Sequence, residues 1–328
     1  MVINNFLYTP SSTEGTFSRK REKERIGRSR RLQIHINKFI LYGITNITLF
    51  IFLLWSLSAQ AIINIVAAEN MYGSVAKEIG GDKVNVVSIL NNPNQDPHLF
   101  SASPSTARAV AKADIIVYNG IAYDGWMDKL LSVQKNPSQK IIIIANLVGA
   151  KMGDNPHLWY SPNTMPVYAQ YLTTQLQQLD PANKSFYATQ LINFQKNYQQ
   201  LNNKINQIKQ HYHNISVIAT EPLFNDMAQA LGFNILAKPF QMNIMNDVEP
   251  TPTQLRDFEN DLNSHSARIF FYNKQVISPL TLQLQKMAIN ERISVVGVTE
   301  TQPEDMNYIQ WMLNQLIATE QALDAKSN

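Results

Sequence analysis

The chain predicts an α/β protein of two lobes, each a mostly parallel sheet covered by helices, joined by one long linking helix. Two patterns predict this. Short β-branched runs alternate with helical stretches at Ile62 to Ala67, Val84 to Leu90, Ile115 to Tyr118, Ile141 to Ala145, Ile215 to Ala219, Ile269 to Tyr272 and Ile293 to Val298. They are continuously apolar rather than alternating, which marks strands buried on both faces, as in parallel sheets covered by helices. Between the fourth and fifth runs, from about Pro181 to His213, there is no strand signal. There Leu191, Phe194, Tyr198, Leu201, Ile205, Ile208 and Tyr212 recur three or four positions apart, an apolar stripe on one long helix. Asp180-Pro181 opens it as an N-cap followed by proline at the first helical position. At about 1.5 Å per residue such a helix spans roughly 45 Å, enough to run the length of two lobes.

A length of 328 residues at 45% hydrophobic suits about two domains and excludes a disordered chain or a disulfide-stapled miniprotein. The expected divisions are a basic leader and signal peptide (1–61), an N-terminal α/β lobe (62–180), the linking helix (181–213) and a C-terminal α/β lobe (214–328). Up to Lys38 the leader has nine Arg and Lys against three Glu, a local +6. The whole chain is +3, so 3 minus 6 leaves about −3 for the rest, and the folded body gives no argument for nucleic acid. Phe39 to Leu57 is largely apolar and uncharged, and Ser58-Ala59-Gln60-Ala61 supplies a small-x-small site. These are the parts of a secretory signal, with cleavage expected after Ala61. The alternative is an uncleaved transmembrane anchor, which Asn46 and Thr48 inside the run weaken. The basic region is long for a signal, so a translational start downstream of Met1 is a second expectation. The absence of cysteine excludes disulfides, thiolate ligands and a lipidated cysteine anchor within this sequence.

Of six histidines, His35 lies in the leader, His211 and His213 suit a helix C-terminus, and His265 stands in a polar stretch. The remaining two form a repeated motif: Asp96-Pro97-His98-Leu99-Phe100 and Asn155-Pro156-His157-Leu158-Trp159, each just beyond a strand-like run. Proline before each histidine stiffens the loop, as a preorganised ligand requires. Glu221 and Glu300 directly follow runs of the second lobe. Ligands of open α/β sheets bind outside the carboxyl ends of the strands, so all four side chains are expected to face one cleft. Two imidazoles and two carboxylates satisfy a first-row divalent cation such as Zn²⁺ or Mn²⁺. Asp124, Asp128, the pair Met242 and Met245, and Asp247 with Glu249 are read as structural, and Thr251-Pro252-Thr253 as a helix start.

With these residues in view, the sequence resembles the periplasmic substrate-binding proteins of zinc and manganese ABC transporters. The matching segments are Asp96-Pro97-His98 with Ser101-Ala102-Ser103-Pro104-Ser105, Lys112 to Gly120, Trp126-Met127-Asp128-Lys129-Leu130-Leu131, Asn155-Pro156-His157-Leu158-Trp159 and Leu179-Asp180-Pro181. The resemblance covers essentially everything after Ala61. It implies His98, His157 and Glu221 as the first three metal ligands. It places Glu300, in Val298-Thr299-Glu300-Thr301, where the family usually has aspartate. Also absent is the His- and acid-rich loop that many zinc-specific members carry between the two ligand histidines. It implies a monomeric periplasmic protein, one Zn²⁺ or Mn²⁺ ion as cargo, and a membrane permease as partner.

The expected function is capture without turnover, since four protein ligands leave no open position for an activated water. Binding is expected to weaken below about pH 6 as His98 and His157 protonate. A ferric-siderophore or cobalamin binding protein of the same architecture is the alternative, one that needs a roomy aromatic- or Arg-lined cleft instead of clustered His and Glu. A zinc hydrolase is disfavoured because neither H-E-x-x-H nor G-x-S-x-G occurs.

Overall fold

A computed structural model describes residues 62–92, 97–133 and 136–325, with a few positions between 22 and 33. The apolar run from Phe39 and the cleavage site at Ala61 lie outside the described residues, as does the side chain of His98. Among the described residues no helix is long and apolar enough to cross a membrane.

The first lobe runs β1 (Ile63–Glu69), α1 (Asn70–Gly80), β2 (Val84–Leu90), α2 (Pro104–Lys112), β3 (Ile115–Tyr118), α3 (Gly125–Val133), β4 (Lys140–Ile143), α4 (Ile144–Val148) and α5 (Thr164–Leu179). The linking helix is α6 (Lys184–His211). The second lobe runs β5 (Ser216–Ala219), α7 (Asn225–Ala230), β6 (Asn234–Ile235), α8 (Lys238–Met245), α9 (Pro252–Asn263), β7 (Ile269–Asn273), α10 (Pro279–Asn290), β8 (Ser294–Val298) and α11 (Tyr308–Asp324). Each lobe holds a four-stranded, wholly parallel sheet, in the orders β2-β1-β3-β4 and β6-β5-β7-β8. The two-lobe α/β class is the one the sequence predicts.

Burial follows position in the sheet. The central strands β1, β3 and β7 are almost wholly buried, whereas the edge strands β2 and β4 bury only two of seven and one of four residues. β4 is shorter than its apolar run: after Ile143 the chain turns helical, and Ile144 and Ala145 pack inward from α4. β6 has only two residues, too few to register as a periodic pattern.

The predicted linking helix divides into a 3₁₀ turn over Pro181–Asn183 and a 28-residue α-helix ending at His211. Asp180 Oδ2 accepts from Asn183 Nδ2 at 2.6 Å and from the Tyr187 hydroxyl at 2.9 Å, which ties the carboxylate to the turn. Asn214 then takes φ 54°, a left-handed conformation that asparagine tolerates, and turns the chain into β5. The predicted stripe is the buried face of α6: Leu191, Phe194, Tyr198, Leu201, Ile205 and Ile208 are all core residues. α6 packs on α1, α5 and α11. One hydrophobic core therefore runs from β1 and β3 through α6 to β5, β7 and β8.

Candidate metal centre

Five of the segments that meet at the candidate centre begin where parallel strands end. Glu69 closes β1, Asn119 follows β3, Asn273 closes β7, and Glu221 and Glu300 stand two residues beyond β5 and β8. Glu69, Asn119, His157, Glu221, Asn273 and Glu300 are all buried. So many buried polar groups gathered from the carboxyl ends of both sheets need partners, and the partners define the site.

His157 precedes a 3₁₀ turn over Leu158–Tyr160 and is held by Asn155. Asn155 Nδ2 donates to the Pro222 carbonyl at 3.0 Å, and its Oδ1 accepts from the His157 backbone N–H at 3.3 Å. Those two contacts fix which end of the amide is oxygen. The Nδ1 of His157, 2.8 Å from that oxygen, must then donate, so the neutral imidazole turns the lone pair of Nε2 inward. Nε2 lies 3.9 Å from Glu300 Oε2. Tyr123 and Trp159 pack edge-on against the imidazole, with ring centroids 5.9 and 5.4 Å away.

The acidic half comes from the second lobe. Glu221 Oε2 and Glu300 Oε1 accept from the same Asn273 Nδ2, at 3.0 and 2.6 Å. The Tyr123 hydroxyl reaches across from the first lobe to Glu300 Oε2 at 2.7 Å. Burial and the Glu300 charge push the Tyr123 hydroxyl well above its usual range, so it remains the donor. The Glu300 backbone N–H donates to Gln275 Oε1 at 2.6 Å. The structure thus brings His157, Glu221 and Glu300 into one buried network, and places the His98 backbone in a 3₁₀ turn over Pro97–Leu99. Among the described residues no three His, Asp or Glu side chains form a complete chelating group; the candidates are linked pairwise. His211, His213 and His265 are exposed.

Sequence reasoning set Asp124 aside and did not single out Glu69, Asn119 or Asn273. Asp124 is buried, accepting from the backbone N–H groups of Asn119 at 2.5 Å and Gly120 at 2.9 Å. Burial nevertheless pushes its carboxyl up to about 6. Glu69 is raised well above the usual carboxylate range, first by burial and then by the Asp124 charge. Asn119 links this region to the turn before His157: its side chain accepts from the Tyr72 hydroxyl at 2.6 Å and donates to the Pro156 carbonyl at 2.9 Å. The one available signal was a carboxylate ending a buried apolar strand, which applied to Glu69 as much as to Glu221.

Comparison with known proteins places this architecture. The fold matches the periplasmic zinc-binding protein TroA of Treponema pallidum, with a TM-score of 0.69 at 14% identity, over 80% of this chain and 99% of that one. It also matches a Mn-bound periplasmic metal-binding protein of Candidatus Liberibacter asiaticus, with a TM-score of 0.65 at 20% identity and the same coverage. In sequence, the manganese ABC transporter substrate-binding lipoprotein PsaA of Streptococcus pneumoniae is 26% identical over 239 residues, 67% of this chain and 75% of that protein. The metal ABC transporter substrate-binding lipoprotein of Lactococcus lactis is 26% identical over 232 residues, 65% of this chain and 72% of that protein. The fold is therefore that of periplasmic metal-binding proteins. Residues 65–322 match the ZnuA family, zinc-uptake complex component A, periplasmic, and the chain belongs to that family.

Proposed function

We propose that this chain is an extracytoplasmic substrate-binding protein that captures one divalent transition metal ion, Zn²⁺ or Mn²⁺, between its lobes and delivers it to an ABC permease for import. His98, His157, Glu221 and Glu300 are its ligands, and no chemical turnover occurs. The observation that carries this reading is the pairing of an imidazole whose Nδ1 is held by Asn155 with two buried carboxylates that share the amide nitrogen of Asn273. Two carboxylates removed from water repel each other, and a cation between them offsets that repulsion. The relatives' names support the transport role and the class of cargo. The buried His and Glu donors argue against the siderophore or cobalamin alternative.

The finer points belong to the same proposal. The protein works as an exported monomer, released after Ala61. Unlike the relatives named as lipoproteins, it has no cysteine in its sequence to carry a lipid. Calorimetric titration of chelator-stripped protein with Zn²⁺ and Mn²⁺, beside the variant carrying His98→Ala and His157→Ala, tests the reading. One tight site per chain that disappears in the double variant is expected. No metal site, or one indifferent to both histidines, overturns it.

A further inference from the structure

Asn273 is buried at the end of β7, with both carboxylates of the candidate centre on one nitrogen. An amide NH₂ has two hydrogens, one for each acceptor. Its orientation is fixed from the other end, because Asn273 Oδ1 accepts from the Gln275 backbone N–H at 2.9 Å. Gln275 fixes the backbone that carries Glu300, accepting from the N–H groups of Glu300 at 2.6 Å and Thr301 at 3.0 Å. Its Nε2 donates to Thr301 Oγ1 at 2.9 Å, which sets the direction of that amide too. Glu300 has one more rotatable bond than an aspartate, and this Asn-x-Gln turn, with the Tyr123 hydroxyl, takes up that freedom.

We infer that Asn273 is a specificity-determining positioning residue: holding one oxygen of each carboxylate, it limits Glu221 and Glu300 to one metal-facing oxygen apiece and biases the site towards four-coordinate Zn²⁺ over Mn²⁺. This rests on the carrier reading above. A carboxylate binds a cation through one oxygen or two. Zn²⁺ is satisfied by four tetrahedral nitrogen and oxygen donors, whereas Mn²⁺ favours oxygen-rich, higher-coordinate shells. Four residues supply a fifth or sixth donor only if a carboxylate turns both oxygens inward. Here that requires a carboxylate to rotate so that Glu221 Oε2 or Glu300 Oε1 turns away from Asn273, which bends or breaks a buried, charge-assisted hydrogen bond, whereas Glu300 Oε2 keeps a second lone pair for a cation beside the one that the Tyr123 hydroxyl uses.

The test uses the whole chelator-stripped protein, titrated separately with Zn²⁺ and Mn²⁺, together with zinc X-ray absorption of the loaded form, for the unaltered chain, Asn273→Ala and His157→Ala. The unaltered chain is expected to show four nitrogen or oxygen neighbours around zinc. Asn273→Ala should raise that number and lower the ratio of Zn²⁺ to Mn²⁺ affinity at least about tenfold. More than four neighbours in the unaltered protein, or an unchanged ratio in an Asn273→Ala variant that folds by circular dichroism, overturns the inference and leaves the carrier reading intact. If Asn273→Ala does not fold, the spectrum of the unaltered protein decides alone. Absence of metal binding in the unaltered protein, or unaltered binding in His157→Ala, overturns the carrier reading and this inference with it.

Discussion

In the proposed centre His157 can offer Nε2 to a cation only while its proton sits on Nδ1, and the group that keeps it there is Asn155, anchored in turn on the Pro222 carbonyl of the other lobe. Outer partners of this kind typically govern metal affinity by 10–100-fold. Asn155→Ala is therefore expected to weaken metal binding by about that factor with little change in fold, as titration calorimetry beside circular dichroism will show. The buried pair Glu69 and Asp124 acts on stability instead. A carboxyl raised in the folded state holds its proton where the unfolded chain releases it, so folding is favoured below the ordinary carboxylate range and loses stability as pH rises towards about 6. Metal-free protein should thus lose on the order of 2–3 kcal/mol through Asp124 between pH 4 and pH 7. Urea unfolding across that range measures it, and Asp124→Asn should flatten the slope whatever it does to absolute stability. His157, Glu221 and Glu300 were legible in the sequence because a histidine in a repeated Pro-His motif, or a glutamate just past an apolar run, is conspicuous. Asn273 was not, since an asparagine ending a strand has no signature until the carboxylates it holds, from two distant segments, are brought to it.

At the level of elements, six of the seven predicted stripe positions, Leu191 to Ile208, form the buried face of α6, because a 3.6-residue period declares itself when one face is buried, whereas Tyr212 stands just past the helix end and is half-buried. Thr251-Pro252-Thr253 was read as a helix start ahead of Leu255 and Phe258, and the structure adds what holds it: the Thr251 hydroxyl and the Gln254 side chain close a reciprocal capping box at the head of α9. Edge position was less legible than the strands themselves: β2 has the bounds read for it, Val84–Leu90, but its run and that of β4 were read as buried on both faces, whereas only two of seven residues in β2 and one of four in β4 are buried, because each has a neighbouring strand on one side only. The position of α6 in one core leads to a specific expectation. Phe194 is fully buried, and Phe194→Ala should cost about 3–5 kcal/mol through lost burial and the cavity left behind. Because the same core reaches both sheets, calorimetric unfolding should stay a single transition at a lower temperature. Two separated transitions would contradict the continuity of that core.

Across the whole molecule the lobes are tied by groups no periodicity reveals. Tyr160 donates its hydroxyl to the Thr299 carbonyl at 2.7 Å and receives Gln315 Nε2 at 2.6 Å. The Tyr308 hydroxyl donates to the Trp159 carbonyl at 2.6 Å. Asn70 Nδ2 donates to the Gln302 carbonyl at 2.6 Å while its Oδ1 accepts from the Gln302 backbone N–H at 3.0 Å. With α6 running through both lobes as well, wide opening would break several buried hydrogen bonds at once. Small-angle scattering of metal-free and metal-loaded protein should therefore superimpose, and a marked compaction on loading would contradict the ties. The clasp between Asn70 and Gln302 joins positions 232 residues apart. Glu300 stands just beyond β8, the last strand in chain order, so the centre does not exist until that strand has docked beside β7. A ribosome-bound or membrane-threading chain, however many of its histidines have emerged, holds only scattered donors. Such a chain lacks the assembled network of His157, Glu221 and Glu300, which forms only once folding finishes.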